Sequence, residues 1–262
     1  MDFKSDEGVQ MKQKDVTALI DGDLLIYKIA IGLEEPIQWE DDLWTLHADA
    51  NLGKQKLDHE FFSVGRRINA NKIAIALSSP NNFRKKIAET YKSNRKKTRK
   101  PVIYKPLLEY AHEKYSCFSM DNLEGDDVLG IMATAGEIDG EVIVVSSDKD
   151  MKTIPCNLLD PADGNTKIQK ITKKQADYNF MLQTLTGDAT DGYKGLEGVG
   201  EVTAKRILGE PRSLKLMWKD VVKAYEDKGF TKKDALTQSR LARILRIEDW
   251  NAEKKEPILW KP

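Results

Sequence analysis

Short, almost continuously apolar runs separated by helical patterns constrain the fold of this chain most. The runs span Val16–Asp21 and residues 72–77 and 141–146, and each is short enough to be a single strand. Strands of this kind lie in parallel sheets whose two faces are covered by helices. Helical patterns alternate with them, at residues 24–31, 57–68, 106–114 and 126–135. The alternation predicts an α/β fold built on a mainly parallel sheet with helices on both faces.

The pattern changes in the last third of the chain. Residues 156–159 and 167–171 flank a turn-rich PADGN segment and are typical of a hairpin. Helical patterns then cover residues 177–185, 202–208 and an amphipathic tail from 213 to about 249. We therefore divide the chain into a flexible leader at 1–14, an α/β core at 15–175 and a helical region at 176–262.

Acidic residues collect where predicted strands end and predicted helices begin. Asp21 and Asp148 follow strands, and the carboxyl ends of parallel strands meet at one edge of a sheet. The other acids of these clusters are Asp23, Glu124, Asp126, Asp127, Asp150, Asp188 and Asp191. Each cluster alone also fits an acidic helix N-terminus or a polar loop.

Together the acids predict a metal site. Like charges brought close raise one another's pKa unless a cation neutralises them. Oxygen ligands without His or Cys favour Mg²⁺ or Mn²⁺. A cluster of this size has enough oxygens for two ions, the arrangement that enzymes use to cut phosphodiesters.

A basic segment balances these acids. Lys plus Arg number 42 and Asp plus Glu number 42, so the net charge identifies no partner. Between residues 84 and 100, however, only Glu89 opposes a run of cations, which includes Arg84, Lys85, Lys92 and Arg95. Tyr91 is interleaved among them, and such a mixture is typical of surfaces where bases stack while cations follow the phosphates. A solvated charged face is the alternative interpretation.

A glycine-rich turn, GLEGVG, follows the last acids. Gly198, Gly200 and Thr203 lie where this turn enters the predicted helix 202–208. A dinucleotide fingerprint is disfavoured because a helix, rather than a strand, precedes the turn. A helix–hairpin–helix turn fits better, since its amides and the helix N-terminus bind phosphate, with Lys205 a turn further on. Such a contact would not depend on nucleic-acid sequence.

The ordered set DGD, FRKK, YKSNR, LEGDD, SSDKD, GDATDG and GLEGVG resembles the flap endonuclease/5′→3′ exonuclease superfamily. It is most similar to the 5′→3′ exonucleases of podoviruses, over nearly the whole chain. The resemblance implies a PIN-like nuclease core, a helix–three-turn–helix element in the helical region, and a basic arch or gateway at about residues 83–108. It implies a metal-dependent 5′→3′ exonuclease on duplex DNA that also removes flaps and RNA primers during phage DNA replication.

The resemblance also assigns roles to residues. Two Mg²⁺ ions, replaceable by Mn²⁺, would be held by Asp21, Glu124, Asp126, Asp127, Asp148, Asp150, Asp188 and Asp191, with Asp148 essential for catalysis. Lys92 and Arg95 would reach the scissile phosphate, and Tyr91 would stack on bases. The DNA interface would further include Arg84, Lys85, Gly198, Gly200, Thr203 and Lys205. A potassium ion on backbone carbonyls of the glycine turn is also implied.

The chain departs from the family pattern at one position. Ser78 or Ser79 stands where the family carries another Asp, ahead of the basic segment. A structure-specific DNA-binding protein with impaired catalysis therefore stays open, as does a PIN-type ribonuclease. The expected partners are DNA with 5′ ends or flaps and an RNA–DNA hybrid. No apolar run reaches membrane-spanning length, so we expect a cytoplasmic protein, in the host cell if phage-encoded.

Overall fold

The computed structural model describes residues 15–163 and 167–262, and the predicted leader at 1–14 lies outside them. The strands are, in chain order, β1 (Val16–Asp21), β2 (Glu35–Glu40), β3 (Leu43–His47), β4 (Lys72–Ala76), β5 (Cys117–Phe118), β6 (Glu141–Val145), β7 (Cys156–Leu159), β8 (Gln169–Ile171), β9 (Trp250–Asn251) and β10 (Glu256–Pro257). The α-helices are α1 (Gly22–Gly32), α2 (Ala50–Arg67), α3 (Arg84–Ile87), α4 (Tyr104–Lys114), α5 (Gly125–Ala135), α6 (Lys173–Thr186), α7 (Glu201–Leu208), α8 (Leu214–Asp227) and α9 (Lys232–Ala242).

A mainly parallel sheet forms the centre of the molecule, as the apolar runs predict. Its strand order is β5-β4-β1-β6-β7-β8. The first five of these strands are parallel, and β7 and β8 form the predicted hairpin. The central strands β1 and β6 therefore end side by side, at the edge that carries the acids.

Helices cover both faces of this sheet. Successive strand residues point to opposite faces, so Ile20 packs under α1, α2 and α4, whereas Leu19 packs under α5. Both side chains are almost completely buried. This double burial explains why the strand sequences are continuously apolar instead of alternating.

The helical region has an apolar cluster of its own. Helices α6 to α9 meet around side chains such as Phe180, Trp218 and Tyr225. The predicted domain boundary at 175/176 falls inside α6, which also packs against the 3₁₀ helix Lys149–Thr153. The division into two domains therefore stays a prediction.

The prediction of a helical tail to about residue 249 is wrong beyond Ala242. After α9, residues 243–246 are not helical and return to α5, where the backbone amide of Leu245 donates to Asp127 at 3.0 Å, and a short 3₁₀ helix follows at Ile247–Asp249. The amide of Ile247 donates to the Thr134 hydroxyl at 2.8 Å. These long-range bonds replace the helical ones.

The β2–β3 hairpin was not predicted. It pairs only with itself among the described strands, and its tryptophans Trp39 and Trp44 are 64% and 56% exposed. Since neither face of the ribbon packs on the core, no burial pattern marks it in the sequence. No helix among the described residues combines the length and apolarity needed to span a membrane.

Candidate active site

The carboxyl ends of β1 and β6 bring Asp21 and Asp148 together. Asp21 ends β1 and caps α1 by accepting a hydrogen bond from the Leu24 amide at 3.1 Å. The hydroxyl of Ser146 donates to the other oxygen of Asp21 at 2.8 Å and accepts from the Asp148 amide at 3.0 Å. Ser146 thus links the two acids, a role that the sequence did not reveal because serine is common after strands.

Asp126 joins them from the first turn of α5. Burial, together with the charges of Asp23 and Asp148, raises the pKa of Asp21 to about 6. Burial also raises the pKa of Asp126, followed by repulsion from Asp21 and Asp148. A bound cation would relieve this repulsion, so these carboxylates fit a hard divalent ion.

Asp150 links Asp148 to Asp188: its amide donates to Asp148 at 2.8 Å, and its carboxylate feels the charges of both acids. Burial raises the pKa of Asp150 to about 6, with further contributions from Asp148 and Asp188. Burial would also raise the pKa of Asp188, but Lys149, at 3.1 Å, turns the net shift downward. The charge of Asp148 thus acts on Asp21 and Asp126 as well as on Asp150.

Glu124 and Asp191 are instead paired with the basic segment. The ammonium group of Lys92 contacts Glu124 and lies 3.5 Å from Asp191. Arg95 binds Asp191 at 2.8 Å. Burial would raise the pKa of Glu124, but the charges of Arg84 and Lys92 lower it to about 2. Both acids thus hold cations at the edge of the acidic cluster.

The loop after α6 holds the basic segment in this position. Lys92 has a left-handed backbone (φ 51°), and its amide donates to the carbonyl of Asp191 at 2.8 Å. A Cβ at Gly192 would lie 2.6 Å from the carbonyl oxygen of Thr90. The close approach requires glycine there, which explains the glycine that follows GDATD.

Within the described parts of the chain, no three acidic, His or Cys side chains converge as they would around a bound metal. Several of the carboxylates instead form salt bridges with lysine and arginine side chains. Mutual repulsion nevertheless shows that five acids lie near one another, namely Asp21, Asp126, Asp148, Asp150 and Asp188. Glu124 and Asp191 lie beside them, paired with cations.

Three predicted roles are wrong. Asp127 is completely buried, and its oxygens accept from both terminal nitrogens of Arg84, each at 2.7 Å. Arg84, 3% exposed, also donates to the carbonyl of Leu241 at 3.0 Å, so in this conformation its guanidinium faces protein rather than DNA. Tyr91 is 3% exposed and packs against Tyr193, so its ring cannot stack on bases in this conformation.

A small cavity lies between the basic segment and the end of β4. Its volume is about 260 Å³. It is lined by three cations, one acid and four uncharged residues: Lys85, Lys92, Arg95, Glu124, Ser78, Ser79, Pro80 and Asn82. Its size and charge suit a phosphate group.

The two serines at this cavity are both tied to neighbouring backbone. The hydroxyl of Ser78 accepts from the Gly125 amide at 2.9 Å, and its own amide donates to Asp23 at 2.7 Å. The hydroxyl of Ser79 accepts from the amides of Asn81 and Asn122, both at 3.3 Å. Of the two, Ser78 is the one directed at the acidic edge.

The glycine turn lies at the start of α7. Gly198 has φ 71°, and Gly200 caps α7 without a side-chain hydrogen bond. Thr203 lies in the second half of the first turn of α7, and the exposed Lys205 pairs with Glu201 one turn earlier. The predicted phosphate contact of this turn and of Lys205 therefore stays a prediction.

Comparisons with known proteins agree on one family. The family described as "5'-3' exonuclease, N-terminal resolvase-like domain" matches residues 16–180. The exodeoxyribonuclease of Enterobacteria phage T3 is 33% identical over 93% of this chain and 92% of its own length. The exonuclease of Escherichia phage T7 is 31% identical over 93% of each chain.

A solved structure shares the fold. The T5 D15 protein, co-crystallised with metal ions, superimposes with a TM-score of 0.62 at 14% identity, covering 87% of this chain and 89% of that one. The fold is therefore the PIN-like, resolvase-like architecture that the resemblance implied, with its additional helical region. From the family match, the phage relatives and this architecture together, we conclude that the chain belongs to the 5′→3′ exonuclease family.

Proposed function

We propose that the chain is a divalent-metal-dependent 5′→3′ exonuclease that hydrolyses duplex DNA. The observation that carries this proposal is the cluster of carboxylates at the carboxyl edge of the sheet, with the cations of the basic segment directly beside it. The T3 relative is named an exodeoxyribonuclease, which supports DNA as the substrate.

We assign the metal to two groups of acids that share Asp148. Asp21, Asp126 and Asp148 form one group, and Asp148, Asp150 and Asp188 the other. The T5 D15 protein was crystallised with metal ions, and Mg²⁺ is the hard ion that such oxygen donors favour. Bound divalent ions supply an activated water and neutralise charge on the attacked phosphate.

Lys92 and Arg95 bind the scissile phosphate in this proposal. Burial would lower the pKa of Lys92, but Glu124 and Asp191 raise it, so the side chain stays charged. Glu124 and Asp191 therefore act as positioning residues that aim the two cations at the small cavity. Preorganised cations of this kind stabilise the charge that develops in the transition state.

The glycine turn grips the duplex away from the reaction. Gly198, Gly200 and the N-terminus of α7 face phosphate, with Thr203 and Lys205 beside them. The Lys228 ammonium already contacts the carbonyl of Glu197 in this turn. The potassium ion that the resemblance implies therefore does not fit at that oxygen.

The remaining parts of the proposal concern the substrate range. The proposal extends to phage DNA replication in the host cytoplasm, because two relatives are nucleases of phages. Cutting 5′ flaps, and removing RNA primers from RNA–DNA hybrids, would use the same acids and cations.

A digest of one duplex, labelled at either its 5′ or its 3′ end, tests the function. We expect short products from the 5′ label at early times with Mg²⁺, and none with a chelator. The Asp148→Asn variant should bind the duplex and not cut it. Degradation from the 3′ end would refute the polarity, and unimpaired cutting by Asp148→Asn would refute the metal assignment.

A further inference from the structure

One strand end at the acidic edge lacks its own carboxylate. β1 ends in Asp21, and Asp148 follows β6. β4, the other neighbour of β1, is followed by Ser78 and Ser79. At this corner of the acidic edge, beside the end of β4, any carboxylate must therefore come from another part of the fold.

Asp23 reaches this corner from the first turn of α1. Its Oδ2 accepts the amide of Ser78 at 2.7 Å, and its Oδ1 accepts the Tyr104 hydroxyl at 3.2 Å. A Cβ at Gly125 would lie 2.9 Å from Asp23 Oδ2. Because Gly125 stands between Glu124 and Asp126, the carboxylate of Asp23 lies against the backbone that carries two acids of the edge.

We propose that Asp23 is a carboxylate of the metal centre and supplies the negative charge that Ser78 does not. The proposal rests on the proposed metal-dependent function. Each oxygen of Asp23 accepts one hydrogen bond from a neutral donor, and a carboxylate oxygen has a second lone pair. No lysine or arginine pairs with Asp23 among the described salt bridges, in contrast to Glu124 and Asp191.

The competing explanation is purely structural. Asp23 would then serve only to bind Ser78 and Tyr104 and so hold α1 against β4 and α4. The two explanations predict opposite stabilities without metal. A metal carboxylate crowded by other acids destabilises the metal-free fold through repulsion, whereas a structural carboxylate stabilises it through its hydrogen bonds.

The test uses Asp23→Asn, which keeps the shape of the side chain and one acceptor oxygen. Mn²⁺ alone is titrated, and free Mn²⁺ is counted by electron paramagnetic resonance. We expect Asp23→Asn to weaken Mn²⁺ binding by about 10- to 100-fold. Its melting temperature in a chelator should equal or exceed that of the wild type, and the Mn²⁺-induced increase in melting temperature should shrink.

Asp49→Asn is the matched control. Asp49 caps α2 through the amides of Asn51 and Leu52 and is exposed, so this change removes the same charge from a neighbouring helix start. It should leave Mn²⁺ binding unchanged. The double variant Asp23→Asn/Ser78→Asp should recover Mn²⁺ affinity, because the new carboxylate enters the same corner.

Asp148→Asn separates the failure of this inference from the failure of the proposed function. If Asp148→Asn loses Mn²⁺ while Asp23→Asn binds it normally, Asp23 is structural and only this inference fails. If both variants bind Mn²⁺ normally, the metal assignment fails as well. Equal losses of melting temperature with and without Mn²⁺ in Asp23→Asn would also overturn the inference.

Discussion

Asp126 and Asp127 are adjacent acids whose identical substitution should have opposite effects. Asp126 faces the acidic edge, where burial and the charges of Asp21 and Asp148 raise its pKa. Asp127 is fully buried and binds the guanidinium of Arg84 through two bonds of 2.7 Å. We predict that Asp127→Asn lowers stability without affecting metal affinity. Asp126→Asn should instead weaken metal binding and raise the stability of the metal-free protein.

The size of the Asp127→Asn effect follows from the contacts that remain. Removing one charge of a buried ion pair costs about 3–5 kcal/mol. Glu124 still lies 3.1 Å from Arg84 and compensates part of that charge. We therefore expect a loss of about 3 kcal/mol, a sizeable part of the roughly 5–15 kcal/mol typical of folded proteins. For a chain of this length the melting temperature should fall by about 6–12 °C.

Asp126→Asn should instead relieve repulsion, because a neutral amide replaces one of several crowded carboxylates. The metal-free protein should gain stability, and Mg²⁺ should stabilise the variant less than it does the wild type.

Urea denaturation, in a chelator and again in saturating Mg²⁺, measures both effects on the same samples. The midpoint in chelator reports the ion pair, and the shift caused by Mg²⁺ reports metal affinity. If Asp127→Asn keeps the wild-type midpoint and loses the Mg²⁺ shift, Asp127 is a ligand and the structural role argued from its burial is refuted.

Three further predictions address DNA contacts and thiols. Lys92→Met should lower the single-turnover cleavage rate by about 10²–10³-fold with duplex affinity in Ca²⁺ unchanged, and a normal rate would remove Lys92 from the mechanism. Lys205→Ala should weaken duplex binding equally for all sequences and reduce the salt slope by about one; a sequence-dependent loss would argue against a phosphate contact. Burial raises the pKa of the Cys117 thiol to about 11 and that of Cys156 to about 12, so both stay protonated at pH 8. Iodoacetamide should then react with them quickly only after unfolding in urea, and rapid labelling of the native protein would contradict the burial argument.

The local sequence pattern was sufficient to predict the central strands, because continuous burial marks each of them within a few residues. β1 occupies the predicted Val16–Asp21, and the runs at 72–77 and 141–146 each end one residue early. Asp21 and Asp148 could be placed at one edge because parallel strands end together. The hairpin β2–β3 was not predicted because neither of its faces is buried.

What only the tertiary structure decided is which of the clustered charges face the ligand and which are buried in pairs. Arg84 and Asp127 are separated by 43 residues along the chain, and nothing in the spacing of LEGDD distinguishes Asp126 from its neighbour. Tyr91 is buried by Tyr193, which is supplied by the loop after α6. The sequence by itself determined the types of residue, their order and the edge where the acids collect. The exposure of each charge depends on partners that are distant along the chain, because desolvation and pairing act between groups that only folding brings together.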